Sequence, residues 1–214
     1  MIEINVSRKR PNRSDKACLV ILGTLLASAP AMASAAAPTG LNPSISIDQI
    51  GQSNQAMVAQ GAGGGHAQVQ QSGQSNTATV NQTRAMGSSA VVGQTGSQQT
   101  GAITQSGAAS LAILSQTGSN NSASMTQSAT SRGNTATLVQ TGWQNQASLH
   151  QTGDNNTASQ NQLGVGDVQS VVQTGDNNHA AYTQVGNNLP DMKVVQSGSA
   201  TVTIVQTGSP FAPR

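Results

Sequence analysis

The chain has 214 residues, nine of them Lys or Arg, seven Asp or Glu and three aromatic (Trp143, Tyr182, Phe211), for a formal charge of +2. Five of the nine basic residues lie within the first seventeen positions, so the clustered Lys/Arg and stacking aromatics of a nucleic-acid surface are excluded for the rest. A single cysteine, Cys18, excludes an intrachain disulfide framework and a Cys-based zinc site.

Residues 1–35 read as a secretory signal peptide. Arg8, Lys9, Arg10, Arg13 and Lys16 precede an apolar run at 18–26, and the small-residue sites Ala31-Met32-Ala33 and Ala33-Ser34-Ala35 place cleavage near 33–37. The run falls short of the roughly 20 residues needed to cross a bilayer, so no transmembrane segment is expected after cleavage. The mature chain keeps Arg84, Arg132, Lys193 and Arg214 against Asp48, Asp154, Asp167, Asp176 and Asp191, one net negative charge. Residues 36–43 read as a short linker, 44–208 as a repeat body and 209–214 as a tail.

The repeat body carries glutamines about eleven residues apart, at Gln49, Gln60, Gln71, Gln82, Gln94, Gln105, Gln116, Gln127, Gln140, Gln151, Gln162, Gln173, Gln184, Gln196 and Gln206. Stretches starting at Gln49, Gln71, Gln116, Gln140, Gln151 and Gln173 match Q-x-G-x-x-N-x-A-x-x-x-Q without a mismatch. Self-similarity at a short fixed period means stacked units. Two residues before each of these glutamines the position is apolar in fourteen of fifteen cases, Gln160 being the exception, and four residues before it is mostly Ala. Positions two apart share one face of a strand, so Ala, a larger apolar residue and Gln point inward while residues such as Thr77, Thr79 and Asn81 face water.

Turn residues follow each strand: Gly51 and Asn54, Gly73 and Asn76, Gly118 and Asn121, Gly142 and Asn145, Gly153 and Asn156, Gly175 and Asn178. Both types suit a tight corner, Gly through positive φ and Asn through positive φ or bonds to its own backbone. Two strands make one turn, because alternate glutamines recur every 22 residues, with extra residues near Arg84, Arg132 and Pro190. The fold class is all-β: a β-solenoid of about seven two-stranded turns, roughly 34 Å long at 4.8 Å per rung, with cross-β-like Gln/Asn ladders. An unsatisfied buried amide costs about 1–3 kcal/mol, which identical amides one rung apart avoid by bonding along the axis. Open terminal rungs would template the addition of another chain.

Asp154 and Asp176 follow Gly153 and Gly175 one turn apart, a like-charge column that slows aggregation. Nothing here points to an enzyme, a metal site or a cofactor. His66, His150 and His179 are dispersed, the Asp residues of the repeats occupy similar corner settings, and neither G-x-S-x-G nor G-G-x-G-x-D occurs.

The pattern Q-x-G-x-x-N-x-A-x-x-x-Q resembles the curlin repeat of curli fibre subunits over about residues 44–208. The resemblance implies a secreted, major-subunit-like structural protein that leaves through an outer-membrane pore. It further implies polymerisation on a nucleator subunit into extracellular functional amyloid on the bacterial cell surface, for biofilm, adhesion and attachment. Its core positions fall on residues such as Gln140, Gly142, Asn145, Ala147 and Gln151. Against the family pattern, the Gly-rich export segment before the first repeat is short here. A monomeric β-solenoid that binds a surface is the alternative, and would need a regular outward array.

Overall fold

A computed structural model describes residues 32–36, 44–61 and 65–208. The expected leader up to residue 31, most of the linker and the tail beyond residue 208 lie outside the described residues.

Alternating small and larger inward residues give short strands, and the corners return each strand to the opposite side, so the strands sort by parity into two parallel sheets. The odd sheet stacks β1 (Met32–Ala36), β3 (Gln55–Gln60), β5 (Thr77–Met86), β7 (Thr100–Ala108), β9 (Ser122–Ala129), β11 (Gln146–Thr152), β13 (Val168–Thr174) and β15 (Met192–Ser197). The even sheet stacks β2 (Ser44–Gln52), β4 (Gly65–Gln74), β6 (Ser88–Ser97), β8 (Leu111–Ser119), β10 (Thr135–Trp143), β12 (Thr157–Val165), β14 (His179–Asn187) and β16 (Thr201–Thr207). The result is a β-solenoid of about seven two-stranded turns. Each strand pairs only with the strands one turn before and after it, in register: Leu138 lies between Leu114 and Gln160, and Gln140 between Gln116 and Gln162.

The core lies between the sheets. Ala67, Ala90, Ala112 and Ala136 are wholly buried, as are Val69, Val92, Ile103 and Leu138. Alanine and aliphatic residues fill this narrow cross-section, and among the described residues Tyr182 is the only aromatic side chain in the core cluster. Two core positions break the apolar pattern. Gln160 sits where Leu138 and Tyr182 flank it, and Gln169 where Ala147 and Met192 flank it. Both are buried, and the carbonyl oxygen of each side chain lacks a hydrogen-bond partner.

Insertions are absorbed outside the ladder. The extra residue near Arg84 makes a bulge in β5 between Thr83 and Met86, where Arg84 takes φ 52°. The two extra residues near Arg132 fall in the corner between β9 and β10, and Pro190 lies in the corner between β14 and β15. Positions 33–36 of the expected cleavage region fall on strand β1, which pairs with β3 through Ala33 with Ala56 and Ala35 with Val58.

Candidate functional site: amide columns and end rungs

The inward glutamines form two axial columns. On the even sheet Gln49 Nε2 donates to Gln71 Oε1 at 2.6 Å, Gln71 to Gln94 at 2.7 Å, Gln94 to Gln116 at 2.8 Å and Gln116 to Gln140 at 2.9 Å. The column continues from Gln140 to Gln162, Gln184 and Gln206. The odd column runs through Gln60, Gln82, Gln105, Gln127, Gln151, Gln173 and Gln196 in the same manner. In every pair the amide nitrogen points toward the later turn and the oxygen toward the earlier one. From Gln60 onward each nitrogen also donates to backbone, as from Gln116 Nε2 to Thr100 O at 3.0 Å, so a column ties one sheet to the backbone facing it as well as joining turns.

The corner residues divide the work differently from the expectation. Positive φ falls on the glycine and on the residue just before the Asn, as at Ser53, Ser75, Asn120, Gln144, Asn155 and Asn177. Gly51, Gly73, Gly118, Gly142, Gly153 and Gly175 all lie in that region, with φ of 92 to 121°. A Cβ on Gly142 would stand 1.8 Å from Gly164 O, so only hydrogen fits between successive rungs there. The Asn residues themselves are buried and do not adopt positive φ. Their side chains turn inward and hold the next rung: Asn145 Oδ1 accepts the Asp167 N–H at 3.1 Å, and Asn145 Nδ2 donates to Gly164 O at 3.0 Å.

These side chains are a second pair of columns. At one corner Asn54, Asn76, Gln99, Asn121, Asn145 and Asp167 are stacked; at the other are Ser88, Ser110, Asn134, Asn156 and Asn178, each carbonyl, carboxyl or hydroxyl oxygen accepting a backbone N–H one turn on except that of Gln99, which is buried without a partner. Aligning the sequence at 22 residues would have revealed Gln99, Ser88, Ser110 and Asp167 as members. Asp167 is fully buried; its Oδ1 accepts the Leu189 N–H at 3.0 Å and its Oδ2 has no partner. Burial drives its carboxyl above the usual carboxylate range, with the Leu189 bond opposing.

At the second corner Asp154 is half-buried and Asp176 exposed, and both bond to neighbouring turns. Asp154 Oδ1 accepts the Thr130 N–H at 2.7 Å and its Oδ2 the Ser131 hydroxyl at 2.6 Å, one turn back. Asp176 Oδ1 accepts the Asp154 N–H at 2.7 Å. The Ser131 hydroxyl, then the backbone N–H groups around it, hold the Asp154 carboxyl down to about 2. An aspartate here closes the longer corner that the two inserted residues create.

At the ends, the columns and the core are cut open. The even sheet ends in β2 and β16, and the odd sheet in β1 and β15. Ile45 and Ile47 at one end and Val194, Val202 and Ile204 at the other are only partly buried. Gln60 Oε1 is buried without a partner, whereas Gln206 Nε2 donates to Pro190 O. In the even column one end therefore presents the Gln49 acceptor and the other the remaining Gln206 hydrogen, whereas in the odd column Gln60 Oε1 is buried and Gln196 Nε2 already donates to His179 O and Ala200 O. Among the described residues no three of His, Cys, Asp and Glu come together, and no helix is long and apolar enough to cross a membrane.

Residues 100–128 and 132–164 match the family model described as the curlin associated repeat. No curated protein matches the chain.

Proposed function

We propose that the chain is a curlin-family subunit, exported and stacked end to end as an extracellular functional amyloid of a bacterial biofilm matrix; residues 100–128 and 132–164 carry the family's repeat. The observation that carries this reading is the one-way amide column. Donors at one end and acceptors at the other, flanked by half-buried apolar residues, make the two ends complementary to each other and not to themselves. A homopolymer is therefore head to tail. The basic and apolar N-terminal residues act as a secretory leader, with an outer-membrane pore and a nucleating subunit as partners during export and initiation.

A monomeric surface-binding solenoid is disfavoured by the outward columns. The run Thr95, Thr117, Thr141 passes into Leu163 and Val185 and offers no extended flat array. The test is to dilute the mature chain from denaturant and follow thioflavin fluorescence and fibre diffraction. Fibres with a cross-β pattern, seeded by preformed fibre, are expected. Persistent folded monomer at tens of micromolar with no seeding would sink the reading.

A further inference from the structure

The coil enters on the even sheet at β2 and leaves on the even sheet at β16, so residues 44–207 supply eight even strands but only seven odd ones. A second copy laid with its β2 on β16 would leave its β3 two rungs away from β15. The gap is one strand wide, about 4.8 Å beyond normal spacing, and lined by two rows of unpaired backbone groups. Residues 32–36 lie at the missing level. They run parallel to β3, half a turn ahead of β2, and bring the odd sheet to eight strands.

Building on the stacking reading above, we propose that Met32–Ala36 stays in the mature chain and that each incoming copy uses it to fill the rung that the odd sheet of the preceding copy lacks. Copies then mesh with a half-turn step and no strand edge is left open at the joint. Residues after β16 are poor substitutes, because Pro210 and Pro213 lack the N–H that a central strand must donate.

Register fixes the joint. Ala33 shares a column with Ala56 and, through the successive odd strands, with Met192; Ser34 shares one with Lys193, and Ala35 one with Val194. The inference also moves leader processing upstream of the 33–37 region, since cleavage after Ala33 or Ala35 would destroy the rung. Ala29-Pro30-Ala31 has the small-x-small form that cleavage needs and leaves Met32 first.

The test uses the chain beginning at Met32 and carrying Ser34→Cys and Lys193→Cys. Within one chain these positions are at opposite ends, whereas across the proposed joint they are adjacent, within reach of a disulfide. Oxidised fibres should give interchain disulfide-linked oligomers and oxidised denatured monomer none. A second variant, Met57→Cys with Lys193→Cys, reports β3 placed directly on β15, and should not cross-link. Fibres that cross-link through Met57→Cys, or that form normally yet link through neither pair, would overturn the inference while leaving fibre formation intact. If the parent chain forms no fibres, the stacking reading itself fails and this inference with it. Intact mass of the exported chain gives a separate check: a first residue at or before Met32 supports the proposal, and one at Ser34 or later overturns it.

Discussion

Asp167 takes the rung above Asn145 in the corner column, its N–H bonding Asn145 Oδ1 at 3.1 Å. A carboxylate stands where the column otherwise places an amide. The Asn amide nitrogen donates to the glycine carbonyl of the next rung, from Asn145 to Gly164 at 3.0 Å. A Cβ built on Gly164 would lie 1.4 Å from Gly186 O and 2.9 Å from Asp167 Oδ2, so the unpartnered carboxyl oxygen faces a carbonyl. Only the protonated acid can donate there.

The resulting pH dependence has a definite sign. Burial raises the folded carboxyl above its unfolded value, so its stabilising contribution is full below about pH 4 and is lost as pH rises through the folded pKa. Asp167→Asn restores the donor and should raise stability at neutral pH by about 1–3 kcal/mol, with little gain at pH 3. Denaturant midpoints of the two chains at several pH values test this. A gap that does not widen with pH would refute it.

Asp154 should behave in the opposite sense. Its carboxyl is held at about 2 by Ser131 and neighbouring N–H groups, so its grip on the corner is present above about pH 4 and lost as pH falls toward 2. Asp154→Ala should expose the peptide bond after Arg132 to trypsin several-fold faster at pH 8, and Ser131→Ala should do so to a smaller extent. Unchanged cleavage in both variants would mean the carboxylate does not hold the corner.

Gly142 and Gly93 separate two roles of glycine. Gly142 has φ 119° and no room for a methyl group, whereas a Cβ on Gly93 meets nothing within 4 Å. Gly142→Ala should destabilise the solenoid by more than about 2 kcal/mol, combining left-handed strain with a rung-to-rung clash. Gly93→Ala should lie within about 0.5 kcal/mol of the parent, as surface changes usually do. Chemical denaturation of both variants decides it.

Interior and terminal glutamines should differ in what they limit. Gln116 accepts from Gln94 and donates to Gln140 and Thr100, so Gln116→Ala orphans buried groups at about 1–3 kcal/mol each and weakens the fold. Gln49 and Gln206 meet the incoming copy. Replacing that pair by Ala should slow seeded elongation more than replacing Gln116 and Gln140, as followed by thioflavin kinetics on common seeds. Equal slowing would count against end-to-end stacking.

The solenoid, its seven turns and its two-strand period are legible in the sequence because Gln, Ala and a larger apolar residue recur in fixed phase. Less was legible at the corners. Polar residues such as Asn145, Ser110 and Gln99 look like solvated turn formers along the chain, and only stacking at 22 residues reveals that they bury their side chains. Asp167 looks like Asp154 in composition, yet one sits in an interior column and the other on the surface. Met32–Ala36 carries no glutamine and resembles the end of a leader, and only its pairing with β3 gives it a place in the sheet.

Pulling on a filament of such subunits loads its rungs in series, so breaking strength belongs to the least cohesive gap and not to the average. Gln160 and Gln169 lie on consecutive strands, and with the Tyr182 hydroxyl one rung on they put three buried oxygens without a hydrogen-bond partner into neighbouring turns of the core. That soft place recurs once per subunit. A stretched or sonicated fibre would therefore snap at regular intervals of one chain length, and each break would expose fresh surfaces partway along a subunit instead of at the joint between copies.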